Sequence, residues 1–478
     1  MLFQAFAFAL FMLVTVPGVF VMRGTAQKVW LLAASLFFYA YGSPLHLLLF
    51  LYVILVTYGF ARWMAAARQR WILALGIVSA LTPLLLYKYV PFLLSQFAAN
   101  PGPLAARWMA LPLPIGISFY TFQAVGYLVD VWRGEQRAEK NLVHYALFLS
   151  FFPQLVAGPI ERSRDLLPQL RQRHIFDAEN CVVGLRWMGI GFFLKVFVAD
   201  TLAYVVNIAY DSAATASALF LLLATALFGM QIYCDFHGYS LIARGCAKVL
   251  GIDLMRNFEQ PYLATSMAAF WRRWHISLSG WFKSYVYIPL GGNRRGKTRR
   301  CLNQLITFLC SGIWHGANWT FALWGALHGL ALVAEEGLGL RRPNKKKLAA
   351  VGGWLYTQAT VCLLWVPFRA NSLADALLIL RRVCLDAPME AWRLMSGALS
   401  AASLIPRNGI FLWHLGLGLC GAVAAWAYDA MTRARGDLAP RMGAFHPVLR
   451  WAITFLLLFF PLCLGKFGSA SQFIYFRF

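Results

Sequence analysis

The sequence predicts an all-α polytopic membrane protein. Of the 478 residues, 60% are hydrophobic and only 13% are charged, and the mean hydropathy is +0.61. A soluble domain of this size would carry about twice that charged fraction. The apolar residues form runs long enough to cross a bilayer, and short loops separate these runs. These observations favour about ten or eleven transmembrane helices, together with re-entrant and interfacial helices, in one integral-membrane domain, 1–478.

The apolar runs give the order of the expected helices. The first run lacks a basic segment before it and a small-residue cleavage site after it, so we expect a retained helix and not a signal peptide. Whether the segment 301–333 crosses decides between ten and eleven spans and leaves the side of the C-terminus open. The other candidate spans are 2–22, 29–42, 45–61, 71–94, 113–132, 182–209, 218–234, 350–367, 410–428 and 448–465.

Charge and cysteine usage exclude several classes of protein. Lys and Arg number 43 and Asp and Glu 19, which gives a net charge of +24. The basic residues lie in short loops between apolar runs, as cytoplasmic loops do under the positive-inside rule, so the excess indicates a lipid bilayer as partner and not nucleic acid. The nine cysteines contain no C-x-x-C pair, which predicts small buried side chains, no disulfide framework and no metal site.

Two stretches interrupt the regular alternation of spans and loops. Basic loops flank 141–159 on both sides, so we expect a re-entrant or non-spanning pair of half-helices there. The stretch 235–300 is rich in aromatic residues, Arg and Gly, which favours interfacial and re-entrant helices on the cytoplasmic side. We therefore divide the domain into N-terminal helices (1–132), a catalytic core (133–333) and C-terminal helices (334–478).

The most informative stretch is 301–330, which is apolar and Trp-rich but holds two histidines. Ionisable side chains at membrane depth usually pair, line a water-filled cavity or do chemistry. His315 and His328 are thirteen residues apart, so one straight helix would separate them by roughly 20 Å and turn them to different faces. Gly316 and Asn318 are breakers that would let the chain turn at His315 and return through Trp319. The alternative is a pair of Trp-packed histidines without a chemical role.

Seven motifs follow one another along the chain: PIGISFYTFQ (114–123), AGPIERSRDL (157–166), QIYCDFHGYS (231–240), FWRRWHISLSGW (270–281), YIPLGGN (287–293), GIWHGANWTFALWGALHG (312–329) and FIYFRF (473–478). These motifs resemble those of the membrane-bound O-acyltransferase family, in its bacterial alginate O-acetylation branch. The resemblance covers about three quarters of the chain.

The resemblance implies an enzyme that moves an acyl group from a thioester onto a hydroxyl, in a central channel through a helical bundle. The family's invariant histidine falls on His328, which we expect to act as general base, since neutral imidazole suits that task near neutral pH. His315 and Asn318 would orient the acyl carbonyl or the acceptor, although a purely structural role for His315 stays open. Trp314 and Trp324, in the same motif, are candidate substrate-binding residues.

Basic residues near the 270–281 motif have two interpretations. Arg272, Arg273 and their neighbours Lys283, Arg294 and Arg295 could contact the phosphates of a donor, or could anchor the chain at lipid headgroups. Arg272 and Arg273 are the preferred donor contacts because they lie inside the motif. We expect His275 to be a packed structural residue. Asp235 and His237 form a possible buried pair, for which satisfied core polarity is the favoured interpretation.

The resemblance implies that the donor is cytosolic acetyl-CoA or another acyl thioester, with no bound cofactor. The acceptor would be an exported polysaccharide of the alginate, cellulose or peptidoglycan type, and the location the bacterial inner membrane. The chain has no G-x-S-x-G motif, so a serine-dependent final transfer would need an extracytoplasmic partner of the SGNH type. The alternatives are D-alanylation of teichoic acid from a carrier protein, a transporter or flippase, and a structural scaffold.

The chain departs from the branch pattern at two places in the 235–300 stretch. His237 and Leu241 stand where relatives carry Ser and Asp, and Lys283-Ser284 stands where Arg-Asp is usual. The loss of two acidic residues from this stretch leaves His315 and His328 unaffected. We expect it to reflect a different acceptor or partner.

Overall fold

All regular structure in the described part of the chain is helical. A computed structural model describes residues 1–42, 44–97, 102–156, 158–340, 347–406, 408–465 and 474. Within these ranges the chain forms α-, π- and 3-10 helices and no strand. The predicted all-α class is therefore confirmed.

The chain forms two compact units, of which the first comprises Met1–Met188 and Tyr239–Arg256. This division into units does not test the three regions predicted within one domain, which stay a prediction. The helices that begin before residue 188 are α1 (Phe6–Val21), α2 (Gly24–Gly42), α3 (Leu47–Ala66), α4 (Arg70–Leu84), α5 (Val90–Phe97), α6 (Pro103–Met109), α7 (Ile117–Arg133), α8 (Leu142–Ser150), α9 (Phe152–Leu155), α10 (Ser163–Arg171) and α11 (Ala178–Phe192).

The second unit comprises Gly189–Gly238 and Asn257–Phe478. Its residues include all the candidate site residues. The helices that begin after residue 189 are α12 (Asp200–Asp211), α13 (Ala218–Val249), α14 (Met267–Trp271), α15 (Ile276–Phe282), α16 (Gly296–His315), α17 (Trp319–Gly337), α18 (Lys347–Arg369), α19 (Leu373–Arg381), α20 (Ala387–Met395), α21 (Gly409–Arg435), α22 (Leu438–Arg441) and α23 (Pro447–Leu464).

Seven helices of the described chain are long and apolar enough to cross a membrane. Three of the ten predicted spans fall outside this set: α1 has 16 residues, α7 has 17, and α2 begins with the polar segment GTAQK. Sixteen residues extend only about 24 Å along a helix, which is less than the hydrocarbon thickness. The seven helices are Leu47–Ala66, Arg70–Phe97, Ala178–Asp211, Ala218–Val249, Leu348–Arg369, Gly409–Arg435 and Pro447–Leu464.

The stretch 141–159 forms two short helices, in agreement with the predicted break. The nine residues of α8 and the four of α9 are each too short to span a bilayer. Phe151 separates them with non-helical backbone, and Asn141 caps α8 by accepting from the backbone N–H groups of Val143 and His144. This segment is therefore non-spanning in the first unit.

The stretch 235–300 differs from its prediction only over its first part, 235–249. We expected a span to end near 234, but α13 continues to Val249, because its polar residues are buried in protein and not exposed to lipid. The remainder, from 250 to 295, holds only short helices, as predicted: α14 with five residues and α15 with seven, the latter continued by a π-helical turn, Lys283–Tyr287.

A buried ionic cluster explains one of the polar residues of α13. Lys195 Nζ lies 2.9 Å from Asp200 Oδ1 and 2.6 Å from Asp235 Oδ1, and all three side chains are buried. The second oxygen of Asp235 accepts a hydrogen bond from the backbone N–H of Ile474 at 2.8 Å. Asp235 is thus satisfied core polarity, as favoured, but its partner is Lys195. The ring of His237 lies against that of Tyr233.

Two sequence features fall outside the described residues. The basic segment RRPNKKK (341–347) is one of them, apart from Lys347, where α18 begins. The C-terminal motif 473–478 is the other, apart from Ile474.

Candidate functional site

The two histidines of the 301–330 stretch lie on the two arms of a helical hairpin. Helix α16 ends at His315, and α17 begins at Trp319. Asn318 terminates the turn as the N-cap of α17, because its Oδ1 accepts the backbone N–H of Thr320 at 3.0 Å. The predicted break at Gly316 and Asn318 is therefore confirmed.

The hairpin brings both imidazoles against one indole. The ring centroid of Trp324 lies 5.0 Å from that of His315 and 4.8 Å from that of His328. His328 follows Trp324 by four residues on α17, so the two side chains lie on the same helix face. His315 reaches the same indole from α16. The structure thus places Trp324 between the two predicted catalytic residues.

These side chains are removed from solvent. His328 and Trp324 are 0% exposed, His315 is 5% exposed and Trp314 is 3% exposed. The ring of Trp314 packs on that of His315 with centroids 4.9 Å apart. Trp365 and Phe368 of α18 close the cluster from a third helix, and sequence reasoning did not single them out.

His328 has one polar partner, which the sequence analysis missed. Trp271, the last residue of α14, donates its indole Nε1–H to His328 Nδ1 at 3.3 Å. The other ring nitrogen, Nε2, is buried and has no hydrogen-bond partner among the described residues. The sequence signal for Trp271 was its place beside Arg272 and Arg273 in the 270–281 motif. The pattern indicated a role in donor binding for the two arginines but no role for the tryptophan.

Helix α14 is attached to the hairpin by a buried carboxylate. Glu335, 0% exposed, lies on α17 seven residues after His328. Its two oxygens accept the backbone N–H groups of Met267 and Ala268, the latter at 3.1 Å. Glu335 and His328, which lie two turns apart on α17, therefore contact opposite ends of α14. The carboxylate of Glu335 binds the start of α14, and the imidazole of His328 binds its last residue, Trp271.

His275 lies near the cluster in a strained conformation. Its backbone has φ 44° and ψ 55°, in the left-handed region that few residues other than glycine adopt. Its Nδ1 lies 3.2 Å from Asn257 Oδ1, and its ring centroid is 6.4 Å from that of His315. The burial of His275 and these contacts agree with the packed structural role predicted for it.

Arg272 and Arg273 follow Trp271 directly but do not join the ring cluster. Arg272 is exposed and Arg273 is half-buried. Burial lowers the pKa of Arg273 from its ordinary value, and the positive charge of Arg433 on α21 adds to that shift. Glu259 is the nearby acid that opposes it. The fold thus gathers Arg272, Arg273 and Arg433 into a cationic patch, to which the sequence pattern contributed only the first two.

A cavity of about 330 Å³ opens beside the hairpin turn. Arg369 supplies a positive charge to its wall and is held by a hydrogen bond to Asn207 Oδ1 at 2.7 Å and by the ring of Tyr210. Gln231 contributes a buried Oε1 that has no partner among the described residues. The lining residues are Phe228, Gln231, Asn318, Thr320, Phe321, Arg369, Ala370, Asn371 and Ile474.

Asn318 has structural contacts as well as a position in this cavity. Besides capping α17, it donates from Nδ2 to the backbone oxygen of Asn371 at 3.5 Å. The described residues contain no cluster of three His, Cys, Asp or Glu side chains that would hold a metal ion.

Comparison with known proteins identifies the family and several relatives of this chain. The sequence profile of the membrane-bound O-acyltransferase family matches residues 31–345. A Pseudomonas putida protein named "Probable alginate O-acetylase AlgI" is 40% identical over 392 residues, which cover 78% of this chain and 78% of that protein.

Other relatives carry related names. A peptidoglycan O-acetyltransferase of Helicobacter pylori is 35% identical over 400 residues, 76% of each chain. A teichoic acid D-alanyltransferase of Streptococcus thermophilus is 26% identical over 322 residues, 62% of this chain and 72% of that protein. The chain belongs to the membrane-bound O-acyltransferase family and is a multi-pass membrane acyltransferase.

Proposed function

We propose that this protein takes an acetyl group from a cytoplasmic thioester, acetyl-CoA, and passes it across the bacterial inner membrane for O-acetylation of an exported polysaccharide. The names of the more similar relatives support acetyl transfer, because the alginate and peptidoglycan O-acetylation proteins are 40% and 35% identical, against 26% for the teichoic acid D-alanyltransferase. The acceptor is of the alginate, cellulose or peptidoglycan class.

The geometry of the hairpin supports a donor at one end and an acceptor at the other. Helix α16 begins among the basic residues Arg294, Arg295, Arg299 and Arg300, and its 20 residues extend about 30 Å from this basic end to the hairpin turn. The positive-inside rule puts that basic end in the cytoplasm. The hairpin turn and the cavity with Arg369 then face the opposite side.

The observation that carries the proposal is the position of His328. It lies nine residues into α17, about 14 Å from the hairpin turn. Its side chain is fully buried, and its Nε2 has no hydrogen-bond partner among the described residues. A hydroxyl becomes a useful nucleophile when a base removes its proton, and His328 is that base. His315 and Asn318 orient the acyl carbonyl or the acceptor. Trp314 and Trp324 line the space that the acyl group occupies.

The cationic patch of Arg272, Arg273 and Arg433 binds the phosphates of the donor. Guanidinium groups suit phosphate because their planar donors form paired hydrogen bonds. The donor is a substrate, and the enzyme holds no resident cofactor. An extracytoplasmic transferase of the SGNH type receives the acetyl group on its serine and completes the transfer, since this chain has no G-x-S-x-G motif of its own.

The test is the O-acetyl content of the exported polysaccharide in a deletion strain that carries wild type, His328→Ala, His315→Ala or His414→Ala, with membrane levels of each variant measured. His414 is a half-buried histidine of the same unit, its ring stacked on Tyr204, and it serves as the control. We expect acetylation to disappear with His328→Ala and to persist with His414→Ala. Wild-type acetylation with His328→Ala at normal level would overturn the assignment of the base.

The donor needs a separate measurement. Membranes that contain the protein are given acetyl-CoA with a labelled acetyl group, or a carrier protein charged with D-alanine, and label on the acceptor is counted. Transfer from acetyl-CoA alone supports the proposal. Transfer from the D-alanyl carrier alone would assign the chain to the D-alanylation reaction.

A further inference from the structure

We propose that Trp271 is a positioning residue that sets which ring nitrogen of His328 carries the proton. The two side chains meet edge to face, with ring centroids 5.0 Å apart and an interplanar angle of 88°. The indole Nε1 lies 3.3 Å from His328 Nδ1. The remaining faces of the imidazole are covered by Trp324, Phe308 and Trp365, which present rings and no acceptor to it.

The chemistry of the two groups fixes the direction of this hydrogen bond. An indole N–H donates and cannot accept, so Nδ1 of His328 must be the acceptor. Neutral imidazole carries one proton, which therefore lies on Nε2. The Nε2–H points into a space where the described residues supply no partner. In this state His328 offers a hydrogen-bond donor at Nε2 and not a lone pair.

Glu335 maintains this arrangement from the same helix. Its carboxylate accepts the N–H groups of Met267 and Ala268 and thereby holds α14 against α17. Ser266 caps the same helix through Ala269 at 3.1 Å. Because its first turn is held, the five-residue helix α14 has little freedom to move. Its last residue, Trp271, therefore stays against the imidazole of His328, which precedes Glu335 by two turns of α17.

The consequence for the reaction rests on the proposed function of His328 as a base. A hydroxyl that reaches Nε2 meets an N–H, so proton abstraction there requires that Trp271 withdraws and that the imidazole proton moves to Nδ1. Before that, Nε2–H can only donate to an acyl oxygen. Arg272 and Arg273 follow Trp271 in the chain, so the segment proposed to bind the donor also controls the state of the imidazole.

The test is the ¹⁵N NMR spectrum of the purified full-length protein in lipid nanodiscs, with ring-labelled histidine and no substrate. His328→Asn identifies the His328 signals by their loss. We expect Nδ1 to be the unprotonated nitrogen and Nε2 the protonated one in wild type. In Trp271→Phe, which keeps an aromatic ring but lacks the donor, the Nδ1 signal should shift toward that of an unbonded nitrogen, or the Nε2–H form should lose population.

Trp274→Phe is the matched control, because Trp274 is buried three residues later in the same motif but has no contact with His328. It should leave the His328 signals unchanged. If Trp271→Phe does not fold, Glu335→Ala is used instead, with Glu336→Ala as its control. Glu336 follows Glu335 in the chain and is paired with Arg300.

Two results would overturn the proposal: a wild-type His328 that carries its proton on Nδ1, or His328 signals that do not change in Trp271→Phe and Glu335→Ala. Neither depends on activity. Failure of the proposed function appears separately, as acetylation that survives His328→Ala. The tautomer and the catalytic role are therefore tested independently.

Discussion

Gly312 of α16 and Gly325 of α17 lie backbone to backbone where the arms of the hairpin meet. A Cβ on Gly312 would lie 3.0 Å from the Cα of Gly325 and would overlap the carbonyl oxygen of Phe321. A Cβ on Gly325 would overlap the carbonyl oxygen of Phe308. Close approach of this kind is the usual function of small residues in membrane helix pairs. It brings His315 and His328 to the two sides of Trp324.

We expect Gly312→Ala to destabilise the protein by about 1–3 kcal/mol, the usual cost of forcing one extra carbon into a packed interface. Because the arms would separate, acetylation should fall as well. The measurement is the thermal unfolding midpoint in detergent, with Gly337→Ala as control, since a Cβ there meets nothing within 4 Å. Equal midpoints for Gly312→Ala and Gly337→Ala would show that the approach is not tight in solution.

The cluster of Lys195, Asp200 and Asp235 predicts an asymmetric response to substitution. Lys195→Met leaves two buried carboxylates without a cation and should cost about 3–5 kcal/mol. Asp235→Asn leaves Lys195 with the carboxylate of Asp200, but its single amide oxygen serves either Lys195 or the N–H of Ile474, so it should cost about 1–3 kcal/mol, less than Lys195→Met. The thermal unfolding midpoints of both variants measure this difference in stability. A larger loss in Asp235→Asn than in Lys195→Met would contradict the pairing.

Asn318 allows its capping role and its proposed substrate role to be separated. Asn318→Ala loses the cap and should cost about 1 kcal/mol. Asn318→Ser keeps a capping oxygen but lacks the amide donor at the cavity. We therefore expect the Ser variant to unfold at the wild-type temperature and to show a raised KM for the acceptor. Wild-type transfer kinetics in Asn318→Ser would limit Asn318 to the cap.

The cationic patch predicts a defect specific to the donor. Arg272→Ala should raise the KM for acetyl-CoA several-fold and leave that for the acceptor unchanged, because Arg272 is exposed and contributes charge but not packing. The difference between variant and wild type should shrink at high salt, which screens exposed charges. Arg62→Ala, an exposed arginine of the other unit, is the control. An unchanged KM in Arg272→Ala would favour contact with lipid headgroups.

The local rules of helices and turns predicted much of this protein. Composition and apolar runs gave the all-α membrane class, because backbone groups in a bilayer must be hydrogen-bonded within their own segment. The break at Gly316 and Asn318 was predictable because a cap and a breaker act over three or four residues. The extent of α13 was not, since its polar residues stay helical only through burial against other helices.

By itself, the sequence determined the class of the protein, the hairpin at 301–330 and the identity of the two histidines that it presents. Only the tertiary structure decided what each of them contacts. Trp271 reaches His328 across 57 residues, and Ile474 reaches Asp235 across 239. Such contacts depend on how separate helices pack, and a pattern of neighbouring residues carries no information about partners so distant in the chain. For this reason Trp271, the hydrogen-bond donor to Nδ1 of His328, became visible only in the fold.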